Sequence, residues 1–181
     1  MALTHGAGGD CNAPLLVAVA GAFQAAGVSV LRLDLPFRQR RPKGPPGPSD
    51  AAKDRAGLRL AIGALGGMAK GRIFLAGLSY GGRQASLLAA EAPEIAEALL
   101  FLSYPLHPPG KPGQLRTAHF PSLRTRAIFV HGTGDPFGSV PEMEAALVAI
   151  PAEHELIVVE GAGHDLKRGR FDLEPVVGAL V

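Results

Sequence analysis

Short apolar runs that do not alternate with polar residues recur along this chain, and each is followed by a segment of different character. The runs are "ALT" at 2–4, "VSVLRL" at 28–33, "IFLA" at 73–76, "EALLFLSYP" at 97–105, "RAIFVHG" at 126–132 and "ELIVVEG" at 155–161. Continuous apolar strands, rather than half-polar ones, belong to a sheet covered on both faces. The intervening segments read as helices. Residues 12–26 carry Leu15, Leu16, Val19 and Phe23 at spacings of three and four, with Gly27 placed to end the helix. Further helical stretches run over 50–68, with Ser49 or Asp50 at its start, over 82–92, 139–150 and 171–180. The pattern predicts a three-layer α/β/α sandwich around a mostly parallel sheet of about six strands. At 181 residues and 47% apolar content, it predicts a single domain over 1–181 with a substantial core.

The stretch "IFLAGLSYGGRQA" at 73–85 ends a strand and opens a helix with a serine between them. Gly77 and Gly81 stand two residues either side of Ser79, where a Cβ would collide with the neighbouring element. Such a turn exposes a hydroxyl, which becomes a nucleophile only when an imidazole takes its proton and a carboxylate fixes the imidazole's tautomer. Asp135 follows the fifth strand in "HGTGDPFG", and His164 follows the sixth in "GAGHDL". All three residues end strands, at the edge where open α/β sheets collect ligands. Singly, each has a plainer reading: Asp135 before Pro136 opens a turn, and a histidine in a glycine loop is a surface residue. Together and in this order they form the predicted catalytic set Ser79, Asp135 and His164. Asp165 adjoins His164 but points away from its neighbour's ring, and Asp172 suits the start of the last helix. Negative charge developing in the reaction needs backbone donors. The N–H of Tyr80, after the serine, is one; the other belongs to the loop His5–Gly9, at Ala7, with Gly8 the alternative. His5 is expected to shape that loop rather than act as a base.

Other chemistries find little purchase. A net charge of +2 implies no polyanionic partner, and the basic residues Arg38, Arg40, Arg41 and Lys43 in "FRQRRPKGPPGPSD" read as a solvated loop. "GLSYGG" lacks both a phosphate-loop lysine and the dinucleotide spacing. The histidines are scattered without ligand spacing, so no metal and no cofactor are called for. The one cysteine, Cys11, reads as a small apolar residue. With no apolar run of membrane length and no leader-like start, the expected location is cytoplasmic, with no membrane partner.

The motifs "THGAGGD" at 4–10, "GLSYGGR" at 77–83, "SYPLHPPGKP" at 103–112, "HGTGDPFG" at 131–138 and "GAGHDL" at 161–166 resemble α/β-hydrolases of the dienelactone-hydrolase-like kind. More narrowly, they are similar to a small predicted-hydrolase family that includes the testis-expressed α/β-hydrolase-like proteins. The resemblance implies a minimal α/β-hydrolase fold without a lid domain, Ser79, Asp135 and His164 as the triad, and Ala7 with Tyr80 as oxyanion donors. Dienelactone hydrolases use cysteine as nucleophile, so the serine here departs from lactone specificity. The expected activity is that of a carboxylesterase-like serine hydrolase, acting on a small ester or thioester through an acyl-enzyme. A peptidase or acyltransferase with the same triad, or a non-catalytic interaction scaffold, is the alternative. Loops 34–49 and 105–125 are expected to wall the pocket. His5, Gly8, Phe37, Tyr104, Leu106, His107, Phe120 and Phe137, together with Arg38, are the candidates for its lining. The expected partner is a small acyl substrate, with no nucleic acid; nothing in the sequence speaks to oligomeric state.

Overall fold

The computed structural model describes residues 1–167 and 171–181. Six strands, β1 (Ala2–Thr4), β2 (Leu31–Leu33), β3 (Phe74–Leu78), β4 (Ala98–Leu102), β5 (Arg126–Gly132) and β6 (His154–Val159), form one sheet in the order β2-β1-β3-β4-β5-β6. Every neighbouring pair is parallel. The helices are α1 (Pro14–Ala25), α2 (Pro36–Arg40), α3 (Asp50–Met68), α4 (Tyr80–Glu91), α5 (Val140–Leu147) and α6 (Glu174–Leu180). Among the described residues no helix is long and apolar enough to cross a membrane.

Successive strand residues point to opposite faces, so each run of apolar residues feeds two cores at once. On one face Leu75, Leu99, Phe101 and Phe129 pack with Leu58 and Ile62 of α3, Ala85 and Leu88 of α4, and Met143 and Leu147 of α5. On the other, Phe74, Ala76, Leu100, Ile128 and Val130 meet Leu16, Val19 and Phe23 of α1 and Val176 and Leu180 of α6. The result is a three-layer α/β/α sandwich. Local chemistry sets the helix ends. Pro14 opens α1 where its missing N–H costs nothing, and Gly27 follows that helix at φ +83°. Ser139 and Glu142 form a reciprocal capping box on α5.

Several boundaries differ from the sequence reading. The second strand covers Leu31–Leu33 rather than 28–33, because it is an edge strand whose only partner, β1, offers three residues. The last helix begins at Glu174, not at 171. The segment 34–49 is not all loop: Pro36 starts the short helix α2 within it. Among the described residues no lid covers the C-terminal strand ends, where the long connection after β4 holds the 3-10 turn Phe120–Ser122.

Candidate active site

β3 delivers Ser79 to the sheet edge, and the turn it sits on is forced by contact. A Cβ on Gly77 would lie 2.5 Å from the Gly82 nitrogen and 2.6 Å from the Gly81 carbonyl carbon. One on Gly81 would lie 2.5 Å from the His5 carbonyl oxygen. Glycine is required at both positions because backbone passes where a side chain would stand. The chain therefore turns sharply enough to hold Ser79 at φ 51°, ψ −114°, a region that a residue with a Cβ occupies only under constraint. The Ser79 N–H donates to Leu102 O at 2.8 Å, which anchors the turn to β4.

The structure brings Ser79, His164 and Asp135 together. His164 Nδ1 lies 2.7 Å from Asp135 Oδ2, and its Nε2 lies 2.7 Å from Ser79 Oγ. A carboxylate oxygen only accepts, so Nδ1 carries the proton and Nε2 is left to accept from the serine hydroxyl. Asp135 is 6% exposed and uses both oxygens, since Oδ1 accepts the Phe137 N–H at 2.8 Å. It therefore opens the turn at Pro136 and holds the imidazole as well. Phe137 stacks on the His164 ring at 4.0 Å between centroids and 28° between planes. The loops after β5 and β6 are tied by Gly134 N–H to Ala162 O at 2.8 Å and Gly161 N–H to Thr133 Oγ1 at 2.9 Å. Asp165 faces away, accepting from the Lys167 N–H at 3.2 Å.

The loop after β1 lies against this turn: a Cβ on Gly6 would touch Ser79 Cβ at 3.4 Å. Among the described residues, no acceptor engages the backbone N–H of Ala7 or of Tyr80. His5 is fully buried, and both its nitrogens serve backbone. Nδ1–H donates to Gly6 O at 2.8 Å, and Nε2 accepts from Leu35 N–H at 3.1 Å. Burial lowers its pKa, which suits a neutral ring holding two loops in register.

Ala7, Ser79 and Phe137 lie between two cavities. One, of about 260 Å³, is lined by Gly8, Gly9, Leu78 and His164. The other, of about 360 Å³, is lined by Pro45, Pro46, Tyr80, Arg83, Pro105 and Arg116. Loops 34–49 and 105–125 do wall the site, but through prolines and Arg116 rather than aromatic side chains. Of the residues expected in the lining, the structure sets Gly8 and Phe137 there.

The others lie elsewhere. Phe37, Tyr104, Leu106 and Phe120 are core residues with at most 1% exposure. Their loops fold back onto the sheet, where Tyr104 and Phe120 pack on Phe129 and Tyr104 also meets Phe101. The Tyr104 hydroxyl donates to Arg116 O at 2.7 Å, and burial pushes its pKa up to about 12. Leu106 packs beneath Gly138, where a Cβ would stand 3.0 Å from its own. His107 is buried, with Nδ1–H donating to Pro108 O at 2.8 Å.

Arg38 departs from the expectation of a solvated basic loop, whereas Arg40, Arg41 and Lys43 are exposed as expected. Arg38 is 6% exposed, and its guanidinium donates to Gly9 O and Ala7 O at 2.8 Å each, to Arg41 O at 3.1 Å and to Gly44 O at 3.2 Å. It thus fastens the loop after β1 to the loop after α2. Arg40 and Arg41 are occupied too, each 2.7 Å from an Asp50 carboxylate oxygen.

Two residues not singled out from the sequence support the site. Asp54 of α3 is fully buried; it accepts the Tyr80 hydroxyl at 2.7 Å and the Phe37 N–H at 2.9 Å. Burial, reinforced by Asp54, raises the Tyr80 pKa. His131, also fully buried, donates from Nε2 to Gly138 O at 2.7 Å and sets its Nδ1 3.8 Å from Asp135 Oδ2. Its place at the end of β5, four residues before Asp135, was the available signal; Asp54 sits in a polar helix turn that gives none.

A family model described as an alpha/beta hydrolase domain matches residues 1–172. The fold is similar to that of dienelactone hydrolase from Anabaena variabilis, with a TM-score of 0.73 at 23% identity over 98% of this chain and 81% of that one. It is also similar to Est1E from Butyrivibrio proteoclasticus with ferulic acid bound, at a TM-score of 0.75, 20% identity, and coverage of 98% and 84%. A monoacylglycerol lipase from Paleococcus ferrophilus matches at a TM-score of 0.69 and 16% identity over 90% of this chain and 84% of its own.

Proposed function

The chain belongs to the α/β-hydrolase domain family, and on that footing we propose that it is a serine hydrolase that cleaves a small ester or thioester through an acyl-enzyme. The observation that carries the reading is the continuous relay from Asp135 through His164 to Ser79, with 2.7 Å at each step. His164 Nε2 takes the hydroxyl proton as Ser79 Oγ attacks the carbonyl carbon, and the Asp135 carboxylate stabilises the imidazolium that forms. The carbonyl oxygen, now negative, is received by the unengaged N–H groups of Ala7 and Tyr80, the second lying at the N-terminus of α4. His164 then protonates the leaving group. A water, deprotonated by the same nitrogen, releases the acid and restores the serine.

The absence of a lid among the described residues and the modest size of both cavities favour short acyl groups over long lipid chains. The names of the similar structures, a dienelactone hydrolase and a monoacylglycerol lipase among them, fit an acyl-transfer reaction. The narrower kinship with the testis-expressed α/β-hydrolase-like proteins is part of this reading, on the strength of loops 103–112 and 131–138.

The test is a fluorophosphonate probe, with the adduct located by mass spectrometry. A single adduct on Ser79, lost in His164→Ala, is expected. Turnover of 4-nitrophenyl butyrate without added metal is expected as well, and should vanish in Ser79→Ala. A folded protein that takes up no probe would overturn the reading and leave a hydrolase fold used as an interaction scaffold.

A further inference from the structure

Five arginines of this chain have their charge answered by a carboxylate. Arg40 and Arg41 meet Asp50, Arg55 meets Glu91, Arg72 meets Glu97, and Arg126 meets Glu153. Arg83 and Arg116 are different. Among the described residues neither forms an ion pair, although both are half-buried and both line the 360 Å³ cavity beside Ser79.

Three features make this arrangement costly unless something negative joins it. Arg83 Nε is buried without any acceptor, an unsatisfied donor of the kind folded proteins rarely keep. The two guanidinium groups share one cavity, and burial together with the Arg83 charge pushes the Arg116 pKa down. Arg83 is also the fourth residue of α4, within the first turn, where the helix dipole disfavours a cation and no acidic side chain offsets it. The main chain at Arg116 is anchored, its backbone N–H donating to Leu106 O at 2.8 Å and its carbonyl accepting the Tyr104 hydroxyl at 2.7 Å. Two unanswered, part-desolvated arginines on one cavity wall form a receptor for an oxyanion, which they can grip through forked hydrogen bonds.

We propose that Arg83 and Arg116 form an anion subsite on the Tyr80 side of Ser79, so that the substrate is an ester or thioester carrying a carboxylate or phosphate group. This rests on the hydrolase reading and narrows its substrate class. The cavity on the other side, lined by Gly8, Gly9 and Leu78, is left for the uncharged part of the molecule.

The experiment separates the subsite from the catalysis. Glutarate and inorganic phosphate are titrated calorimetrically, at low ionic strength, into Ser79→Ala protein, which binds without turnover. Saturable binding of at least one anion is expected, weakened tenfold to a hundredfold by adding either Arg83→Gln or Arg116→Gln. Tighter binding of glutarate assigns a carboxylate substrate, and tighter binding of phosphate a phosphorylated one. Arg83→Lys, which keeps the charge, should weaken binding less than Arg83→Gln; this guards against a folding artefact, as does a thermal melt of each variant. In the serine-containing protein, the bound anion should compete with 4-nitrophenyl butyrate. Failure of both anions to bind, or binding indifferent to both arginines, overturns the subsite even if butyrate is hydrolysed. Arginine-dependent binding in a protein that hydrolyses no ester would keep the subsite and overturn the hydrolase reading instead.

Discussion

Asp135→Asn is the sharpest perturbation the geometry offers, because the surroundings decide which way the new amide points. The Phe137 N–H donates to Oδ1 at 2.8 Å, so the asparagine oxygen is held there. The amide nitrogen then replaces Oδ2, 2.7 Å from His164 Nδ1, and donates to it. That forces the imidazole proton onto Nε2, the atom 2.7 Å from Ser79 Oγ, which can no longer accept the hydroxyl proton. The turn survives because its hydrogen bond survives, so the melting temperature should move by only a few degrees. The same tautomer error in serine proteases lowers kcat by about four orders of magnitude, or ~5.5 kcal/mol of transition-state stabilisation. A loss of that order is expected here in kcat/KM for 4-nitrophenyl butyrate. Asp165→Asn, whose carboxylate turns away to Lys167, should stay within about threefold of the parent. An Asp135→Asn protein retaining a tenth of the activity would refute the argument that this carboxylate sets the tautomer.

Arg38→Gln frees the carbonyls of Ala7 and Gly9 from their clamp, so kcat for the same ester should fall about tenfold to a hundredfold with KM little changed. Arg38→Lys should not restore it, because an ammonium cannot span four carbonyls, and a full rescue by lysine would disprove the clamp. His119, whose Nε2 lies 2.8 Å from Ser86 Oγ, has its pKa lowered to about 4 by burial and by Arg83. Its folded pKa lies below the unfolded value of 6.5, so protons favour the unfolded chain between those limits. The melting temperature should therefore fall as pH drops from about 6.5 to about 4, and the fall should lessen in His119→Gln. A slope unchanged in that variant would assign the acid sensitivity elsewhere.

Much of this molecule is legible in its sequence because the relevant signals are local. Strands buried on both faces must be continuously apolar, as at Phe74–Leu78 and Ala98–Leu102, and their parallel pairing follows. Ser79, Asp135 and His164 each stand beyond a strand in a glycine-rich turn, and a Cβ on Gly77, Gly81 or Gly132 would meet backbone within 2.5 Å. The pocket was far less legible. Phe37, Tyr104, Leu106 and Phe120 lie in Pro-rich segments that look like loops, and whether such a segment stands away from the sheet or folds onto it is set by distant contacts. Arg38 fails for a related reason: its partners are main-chain carbonyls, which every residue has and no sequence marks. Arg83 and Arg116 lie 33 positions apart, and only the folded loop makes them neighbours.

β6 is an edge strand, paired with β5 alone, and the loop that holds His164 follows it. A partly folded chain with β1 to β5 in place would have the Ser79 turn complete and the carboxylate of Asp135 waiting, yet its hydroxyl would be as inert as that of free serine. On the proposed reading, Ser79 gains its base only once β6 has paired with β5 and set His164 beside it. In a refolding experiment, uptake of a phosphonate by Ser79 should follow the docking of β6.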